Sequence, residues 1–157
     1  LKRYLDVETV DFSVNELGKP YHKEIAGKQT VNFNISHSGE FILAGFAVGM
    51  DIGVDVQEMA GCPDYREIAG NFYTAEEAED VINEGPELFF QYWAAKEAYV
   101  KAIGIGLGRG MDFFSVRNGE ITEKGRKGQG WHLYPVKIEG YAAYVAAHKK
   151  GDKSNEL

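Results

Sequence analysis

Alternating apolar and polar positions mark three strands in the first third of the chain. Between residues 31 and 36 the odd positions are apolar and the even positions polar, and a period of two recurs between 52 and 57. The apolar run at 41–48 lies between them, and Gly49-Met50-Asp51 separates it from the third strand as a tight turn. The pattern therefore predicts strands near 31–35, 41–48 and 52–57.

A helical pattern replaces this alternation in the middle of the chain. Thr74, followed three positions later by Glu77, matches a capping box, which satisfies free N–H groups where a helix begins. Gly85-Pro86 interrupts the pattern, and Gly104 follows the last apolar position in the manner of a helix C-cap. The predicted helices cover about 64–70, 74–83 and 87–103.

The remaining segments are predicted as strands, turns and a tail. Strands are predicted near 112–116, 131–138 and 141–148, with a hairpin turn at Asn118-Gly119 and a polar tail at 149–157. Before residue 31 the pattern is mixed, and turns are predicted at Gly18-Lys19-Pro20 and at Ala26-Gly27-Lys28.

Composition is that of an ordinary globular protein. Hydrophobic residues make up 44% and aromatic residues 13% of the 157 residues, far from the range of disordered chains. Cys62 is the only cysteine, which excludes an intramolecular disulfide and favours a reducing, cytoplasmic location. The formal net charge of −7 argues against non-specific nucleic-acid binding, and no apolar run is long enough to cross a membrane.

Polar and charged side chains interrupt two otherwise apolar segments. In the third predicted strand Asp55 and Gln57 share a face, so their oxygen atoms can approach one cation. In the long predicted helix Glu97 and Lys101 share a face, with Lys96 roughly 100° around the axis from Glu97. A carboxylate that holds a metal beside lysines that offset phosphate charge suits a magnesium-bound anionic substrate. A solvated Glu97–Lys101 ion pair and a turn role for Asp55 are the alternatives.

Short motifs stand in a defined order along the chain. They read Gly18-Lys19-Pro20, Phe33-Asn34-Ile35-Ser36-His37-Ser38, Gly53-Val54-Asp55-Val56-Gln57, Trp93-Ala94-Ala95-Lys96-Glu97-Ala98-Tyr99-Val100-Lys101 and Gly104-Ile105-Gly106-Leu107. In this order they resemble the motifs of the 4'-phosphopantetheinyl transferases of the surfactin-synthetase-activating (Sfp) type. The resemblance extends over about residues 17–148, which is most of the chain.

The resemblance implies an α+β fold of two pseudo-symmetric α/β halves, each an antiparallel sheet packed on a long helix. Residues 1–51 are expected to form the remainder of an incomplete first half, 52–148 the second half with the metal site, and 149–157 a polar tail. Because the chain starts at Leu1 rather than Met, we expect a fragment of a longer protein, and a naturally short variant is the alternative.

The resemblance also implies an enzyme with defined ligands. Members of the family transfer the 4'-phosphopantetheine arm of coenzyme A to a serine of an apo acyl carrier or peptidyl carrier protein and release 3',5'-ADP, with magnesium as cofactor. The expected ligands are therefore Mg²⁺ and coenzyme A. The expected partner is a carrier protein of fatty-acid, polyketide or nonribosomal-peptide synthesis.

The resemblance assigns roles to nine residues. The implied metal ligands are Asp55, Gln57 and Glu97, the implied catalytic residues are Glu97 and Lys101, and the residues implied to bind coenzyme A are Lys19, Pro20, Ser36, His37, Lys96 and Lys101. Lys96 and Lys101 are expected to offset phosphate charge, and Glu97 is expected to accept the proton of the attacking serine. An exposed turn position for Lys19 and a strand-terminating role for His37 are the alternatives.

Gln57 stands where the family usually has Glu. An amide oxygen can ligate magnesium, but it adds no charge and binds more weakly. Glu58 is adjacent, but on a regular strand it points to the other face. Magnesium is commonly held by one or two carboxylates and phosphate oxygens, so we expect Asp55 and Glu97 to suffice, with reduced metal affinity as the alternative. The substitution also fits a module that binds coenzyme A or a carrier protein without catalysis, and a metal-dependent nucleotide hydrolase is a third hypothesis.

Overall fold

The computed structural model describes residues 2, 8–15, 19–22, 30–106, 110–128 and 130–149. The strands are β1 (Phe12–Val14), β2 (Pro20–His22), β3 (Val31–Ser38), β4 (Phe41–Val48), β5 (Met50–Glu58), β6 (Phe114–Ser115), β7 (Thr122–Glu123), β8 (Arg126–Lys127), β9 (Trp131–Pro135) and β10 (Tyr141–Lys149). The helices are α1 (Tyr65–Phe72), α2 (Ala75–Glu84) and α3 (Pro86–Ile103). The predicted turn at Ala26-Gly27-Lys28, the motif residues Gly18 and Leu107, and the tail from residue 150 lie outside the described residues.

The central layer is a three-stranded antiparallel sheet in the order β5-β10-β9, on which α3 packs. Asp55 of β5 lies opposite Tyr144 of β10 in this sheet. Gly53 lies directly under the helix, where an added Cβ would collide with the backbone of Ala98 and Ala102. The missing side chain at Gly53 therefore lets α3 approach the part of β5 that carries Asp55.

The hairpin of β3 and β4 contacts the outer edge of β5 through side chains. The polar even positions of β3 face β5 and accept hydrogen bonds from its backbone N–H groups. The side-chain oxygens of Asn34, Ser36 and Ser38 accept from the backbone N–H groups of Val54 (2.8 Å), Val56 (3.4 Å) and Glu58 (2.9 Å), respectively. These bonds satisfy N–H groups that β5 does not direct towards β10.

The three predicted helices are confirmed to within two residues at each end. The capping box is present, because the Thr74 hydroxyl accepts the N–H of Glu77 and the Glu77 carboxylate accepts the N–H of Thr74. Gly104 adopts a left-handed backbone and ends α3, as predicted. Aromatic side chains on α1 and α3, with Tyr73 between α1 and α2, form a separate small core beside the sheet.

The segment between α3 and β9 differs from the prediction. Of the predicted strand at 112–116, only Phe114–Ser115 is extended. The predicted hairpin turn at Asn118-Gly119 belongs to a short 3-10 helix, Arg117–Gly119. The hairpin in this region instead joins β7 to β8 through Lys124-Gly125, where both residues have positive φ. Asn and Gly both tolerate a left-handed backbone, so the Asn-Gly pair marks a bend without specifying a hairpin.

The α+β class is confirmed, since every strand pairing among the described residues is antiparallel and the helices are grouped together along the chain. The strand predicted at 131–138 ends at Pro135, and β1 and β2 were not predicted. The predicted boundary between residues 51 and 52 falls inside β5, and the division into two pseudo-symmetric halves stays a prediction. Within the described part of the chain, no helix is long and apolar enough to cross a membrane.

Candidate metal and phosphate site

Asp55 is fully buried in the middle of β5, where a carboxylate needs polar partners. Its Oδ1 accepts hydrogen bonds from the hydroxyl of Ser36 at 2.7 Å and from the ammonium of Lys101 at 2.5 Å. Its Oδ2 accepts a hydrogen bond from the side-chain amide of Gln57 at 3.0 Å. Three elements, β3, β5 and α3, therefore hold this one carboxylate in place.

Glu97 on α3 approaches the same Lys101 ammonium that Asp55 contacts, and it is 6% exposed. Its Oε2 lies 3.7 Å from Nζ of Lys101, one helical turn further along. Burial and the negative charge of Asp55 raise the pKa of Glu97, and the opposing effects of Lys101 and of a hydrogen bond with Trp93 are smaller.

The ammonium of Lys101 lies between the two carboxylates. It is 2.5 Å from Asp55 Oδ1 and 3.7 Å from Glu97 Oε2, and its side chain is 28% exposed. One cation thus already lies beside two acids, which indicates that their oxygens suit a positive ion. Carboxylate oxygens are also the ligands that magnesium prefers.

Asp55 and Glu97 can therefore hold a magnesium ion together with phosphate oxygens and water, as magnesium is commonly held in proteins. Groups of three or more His, Cys, Asp or Glu side chains placed to hold a metal do not occur among the residues that the structure describes.

Gln57 is half-buried and directs its amide towards Asp55. An ionised carboxylate only accepts hydrogen bonds, so the NH₂ end of the amide must face it. The amide oxygen, which is the end that ligates metals, therefore points away from Asp55, and metal ligation by Gln57 stays a prediction. Glu58 lies on the opposite face of β5, with its carboxyl group beside Gly39, as expected from strand alternation.

Ser36 and His37 point in opposite directions, because side chains alternate along a strand. Ser36 is buried, donates to Asp55 and accepts a hydrogen bond from Lys101 at 3.1 Å. His37 is exposed and lies opposite Ile42 in the hairpin. The structure therefore places Ser36 beside Asp55 and leaves His37 on the other face of β3. Contacts of either residue with coenzyme phosphate stay predictions.

Lys96 lies away from the candidate site, with a side chain that is 0% exposed. Its ammonium donates to the carbonyl oxygens of Met111 at 2.8 Å and Phe114 at 2.6 Å and forms an ion pair with Glu77 at 2.7 Å. An ammonium has three donors, and here all three are used inside the protein. The structure therefore places Lys96 in the interior rather than beside Asp55 and Glu97, and its predicted contact with coenzyme phosphate stays a prediction.

Glu77 is a buried residue whose importance the sequence analysis missed, since it was interpreted only as part of a helix cap. Its Oε1 accepts the N–H of Val116 at 2.7 Å, and its Oε2 accepts the N–H of Thr74 and pairs with Lys96. This carboxylate joins the start of α2 to α3 and to the segment that follows it. A lysine within an apolar run is a signal for a buried ion pair, but local sequence does not identify the partner.

Lys19 is located at the C-terminal end of α3. Its ammonium donates to the carbonyl oxygens of Lys101 at 2.7 Å and Ala102 at 3.3 Å. A cation stabilises the unpaired carbonyl groups at a helix C-terminus. Pro20, the first residue of β2, lines a small cavity of about 70 Å³ together with Lys19 and Asn32. The coenzyme contacts predicted for Lys19 and Pro20 stay predictions.

Comparison with known proteins supplies independent information. The sequence profile of the 4'-phosphopantetheinyl transferase superfamily matches residues 51–147. A 4'-phosphopantetheinyl transferase of Bacillus subtilis is 36% identical over 117 residues, covering 72% of this chain and 50% of the relative. The 4'-phosphopantetheinyl transferase Sfp of Bacillus subtilis is 34% identical over 117 residues, with the same two coverages of 72% and 50%. The crystal structure of Thermotoga maritima holo-[acyl-carrier-protein] synthase is similar with a TM-score of 0.47 and 20% identity, covering 66% of this chain and 70% of that one.

The chain spans about half the length of the curated relatives that it matches. The family profile extends over more than half of the chain and includes all of α3 and most of β5 and β10. It thus covers Asp55, Glu97 and Lys101, the three side chains that the structure brings together. The chain belongs to the 4'-phosphopantetheinyl transferase superfamily.

Proposed function

We propose that the protein transfers the 4'-phosphopantetheine arm of coenzyme A to a serine hydroxyl of an apo acyl carrier or peptidyl carrier protein and releases 3',5'-ADP. The observation that carries the proposal is the approach of Asp55 on β5 and Glu97 on α3 to one cation, the Lys101 ammonium. Two acids and a lysine at one point suit a substrate that combines a metal with phosphate. The names of the matching relatives support the choice of substrates.

Asp55 and Glu97 would hold magnesium, which stabilises negative charge on the phosphate oxygens. Asp55 is kept in position for this role by Ser36 and Gln57, which donate to different oxygens of its carboxylate. Ligand residues of metal sites are commonly oriented in this way by neighbouring hydrogen bonds. The amide oxygen of Gln57 could join them only after its side chain turns.

Lys101 offsets charge on the pyrophosphate of coenzyme A and on the departing 3',5'-ADP. Its side chain is 28% exposed, whereas those of Asp55 and Glu97 are 1% and 8% exposed, so Lys101 is the member of the site that reaches solvent. A charge fixed in a partly buried site stabilises developing negative charge more strongly than one in water. With Lys96 in the interior, one lysine rather than two carries this role.

Glu97 accepts the proton of the attacking serine, since an unassisted hydroxyl is a poor nucleophile. The serine oxygen forms a bond to the β-phosphorus of coenzyme A, and the bond from that phosphorus to the oxygen of 3',5'-ADP breaks. Glu97 takes up the serine proton and then releases it to solvent, which restores the carboxylate for the next turnover. Atoms and charges balance, and no redox partner is needed.

The partner proposed here is a carrier protein of fatty-acid, polyketide or nonribosomal-peptide synthesis in the cytoplasm. Carrier proteins are usually acidic, and the net charge of this chain is −7. Long-range attraction between them is therefore weak, and we propose that docking rests on local apolar contacts with a few lysines.

The proposal is tested by mass spectrometry of an apo carrier protein incubated with coenzyme A, Mg²⁺ and the protein. Transfer adds about 340 Da to the carrier through a phosphoserine-type linkage. Asp55→Asn and Glu97→Gln should abolish this gain, whereas Glu84→Gln, which removes an exposed carboxylate on α2, should retain it. Circular dichroism of each variant separates loss of chemistry from loss of fold.

The same experiment distinguishes two other functions. The position of Gln57 favours a non-catalytic coenzyme A or carrier-protein binding module as the second candidate, because its neutral amide, rather than a carboxylate, lies beside Asp55. Tight coenzyme binding without a mass gain would identify such a module. Breakdown of coenzyme A without carrier modification would identify a hydrolase.

A further inference from the structure

Both oxygens of the Asp55 carboxylate are already engaged by side chains of this chain. Oδ2 accepts the amide of Gln57 at 3.0 Å, and Oδ1 accepts Lys101 at 2.5 Å and Ser36 at 2.7 Å. Magnesium binds oxygen ligands at about 2.0–2.1 Å. The Lys101 nitrogen lies 2.5 Å from Asp55 Oδ1 and 3.7 Å from Glu97 Oε2, so an ion held by these two oxygens would compete with it for the space between them.

The charges of these groups also indicate that Mg²⁺ and the Lys101 ammonium compete for the space between the two carboxylates. One positive charge on Lys101 faces two negative charges, on Asp55 and Glu97, so the group carries a net charge of about −1 when both acids are ionised. A divalent ion added beside Lys101 would bring two further positive charges to the same few ångströms, where like charges repel strongly. A phosphate group removes this repulsion, because it gives the ammonium a new anionic partner.

The side chain of Lys101 can make such a move without disturbing the helix. Its backbone carbonyl is held by Lys19 at 2.7 Å, which fixes the last turn of α3. Its side chain is 28% exposed and has a flexible four-carbon stem. The motion is therefore limited to the side chain.

We propose that the Lys101 ammonium and magnesium are alternative occupants of one position between Asp55 and Glu97. Magnesium then binds weakly by itself and tightly together with a phosphate-bearing ligand that receives the displaced ammonium. The inference deepens the proposed function and depends on it only for the identity of that ligand. Gln57 makes the competition effective in this chain, since a carboxylate at position 57 would add a third negative charge in favour of the metal.

The test is calorimetric titration of the purified protein with Mg²⁺ alone. Lys101→Gln removes the competing charge and is expected to bind Mg²⁺ about tenfold tighter than wild type, or more. Lys101→Arg keeps the charge and should bind as weakly as wild type. Lys149→Gln makes the same charge change at an exposed position at the end of β10 and should leave the affinity unchanged.

Equal or weaker Mg²⁺ binding by Lys101→Gln would overturn the proposal. Thermal unfolding followed by circular dichroism establishes that each variant is folded. Lys101→Met serves as a second neutral variant should Lys101→Gln not fold, and the same tighter binding is expected from it.

A second titration tests the coupling to phosphate, with affinities expressed against free Mg²⁺. Coenzyme A should tighten Mg²⁺ binding by wild type about tenfold or more and should have a smaller effect in Lys101→Gln. Tightening by inorganic pyrophosphate but not by coenzyme A would support the competition and contradict the proposed substrate. Tightening by neither ligand would overturn the competition itself.

Discussion

Nζ of Lys96 lies 2.7 Å from Oε2 of Glu77, and neither side chain is exposed to solvent. Burial lowers the pKa of Lys96, and the nearby charge of Glu77 opposes this effect. Replacing one partner leaves the other as an uncompensated buried charge. We therefore expect Lys96→Met to lower the free energy of unfolding by about 3–5 kcal/mol, measured by urea denaturation.

The matched control is the ion pair of Arg117 and Asp80, with an Nε to Oδ2 distance of 2.7 Å and an Arg117 side chain that is 44% exposed. Exposed pairs contribute about 1 kcal/mol or less, so Arg117→Met should have a small effect. A loss from Lys96→Met no larger than that from Arg117→Met would show that the buried pair does not stabilise the fold.

Gly53→Ala is expected to destabilise the protein by about 1–3 kcal/mol, the usual cost of overpacking. The added methyl group would collide with the backbone of Ala98 and Ala102, so α3 must shift away from β5. That shift separates Asp55 from Glu97, and the rate of transfer should fall with stability. Thermal unfolding and the mass-spectrometric assay measure the two effects.

Gly61→Ala is the control for this substitution, because a Cβ at Gly61 meets no atom within 4 Å. Its effect on the free energy of unfolding should be within about 0.5 kcal/mol. Full stability and activity in Gly53→Ala would mean that the helix does not need this close approach.

Ser36→Ala is expected to lower the rate of transfer by about 10–100-fold, the usual effect of removing a residue that orients a metal ligand. The hydroxyl donates to Asp55 and accepts from Lys101, so its loss frees the carboxylate to turn. Ser38→Ala is the matched control. Ser38 lies on the same face of β3, and its hydroxyl accepts a hydrogen bond from the backbone N–H of Glu58. Steady-state kinetics with an apo carrier protein should show the loss only for Ser36→Ala.

Glu97→Gln is expected to stabilise the fold while abolishing transfer. Burial and the charge of Asp55 raise the pKa of Glu97 above its ordinary value of 4.5, so the folded protein holds the proton more tightly than the unfolded chain. Ionised Glu97 therefore lowers the free energy of unfolding at any pH above the raised pKa. The variant should be more stable than wild type at about pH 7 in the absence of metal.

The advantage of Glu97→Gln should shrink as the pH falls through the raised pKa and disappear below the ordinary value of 4.5. Urea denaturation at a series of pH values measures this difference. A variant less stable than wild type at neutral pH would indicate that the pair with Lys101 outweighs the effect of burial.

Local sequence patterns predicted the directions of the site residues but not their neighbours. Alternation placed Asp55 and Gln57 on one face of a strand, and helical spacing placed Glu97 beside Lys101, because both relations depend only on local geometry. The meeting of Asp55 with Glu97 depends on how α3 packs on β5, and only the family resemblance predicted it.

The position of Lys96 has a physical cause in the helix itself. Buried residues occur all around the second half of α3, so its pattern does not show which lysine faces the site and which faces the interior. The resemblance implied a phosphate contact for Lys96, whereas its ion-pair partner in the structure is Glu77 on α2. Lys19 was predicted from a motif, and its contact with the end of α3 is a tertiary relation that no local pattern contains.

The polar side chains of β3 that contact β5 also affect how the molecule meets other molecules. A strand at the border of a sheet offers its N–H groups to strands of other molecules, which is a common start of aggregation. Asn34 and Ser38 already engage the N–H groups of Val54 and Glu58 on that border. The hairpin that supplies Ser36 therefore also shields the Asp55 strand from intermolecular sheet extension.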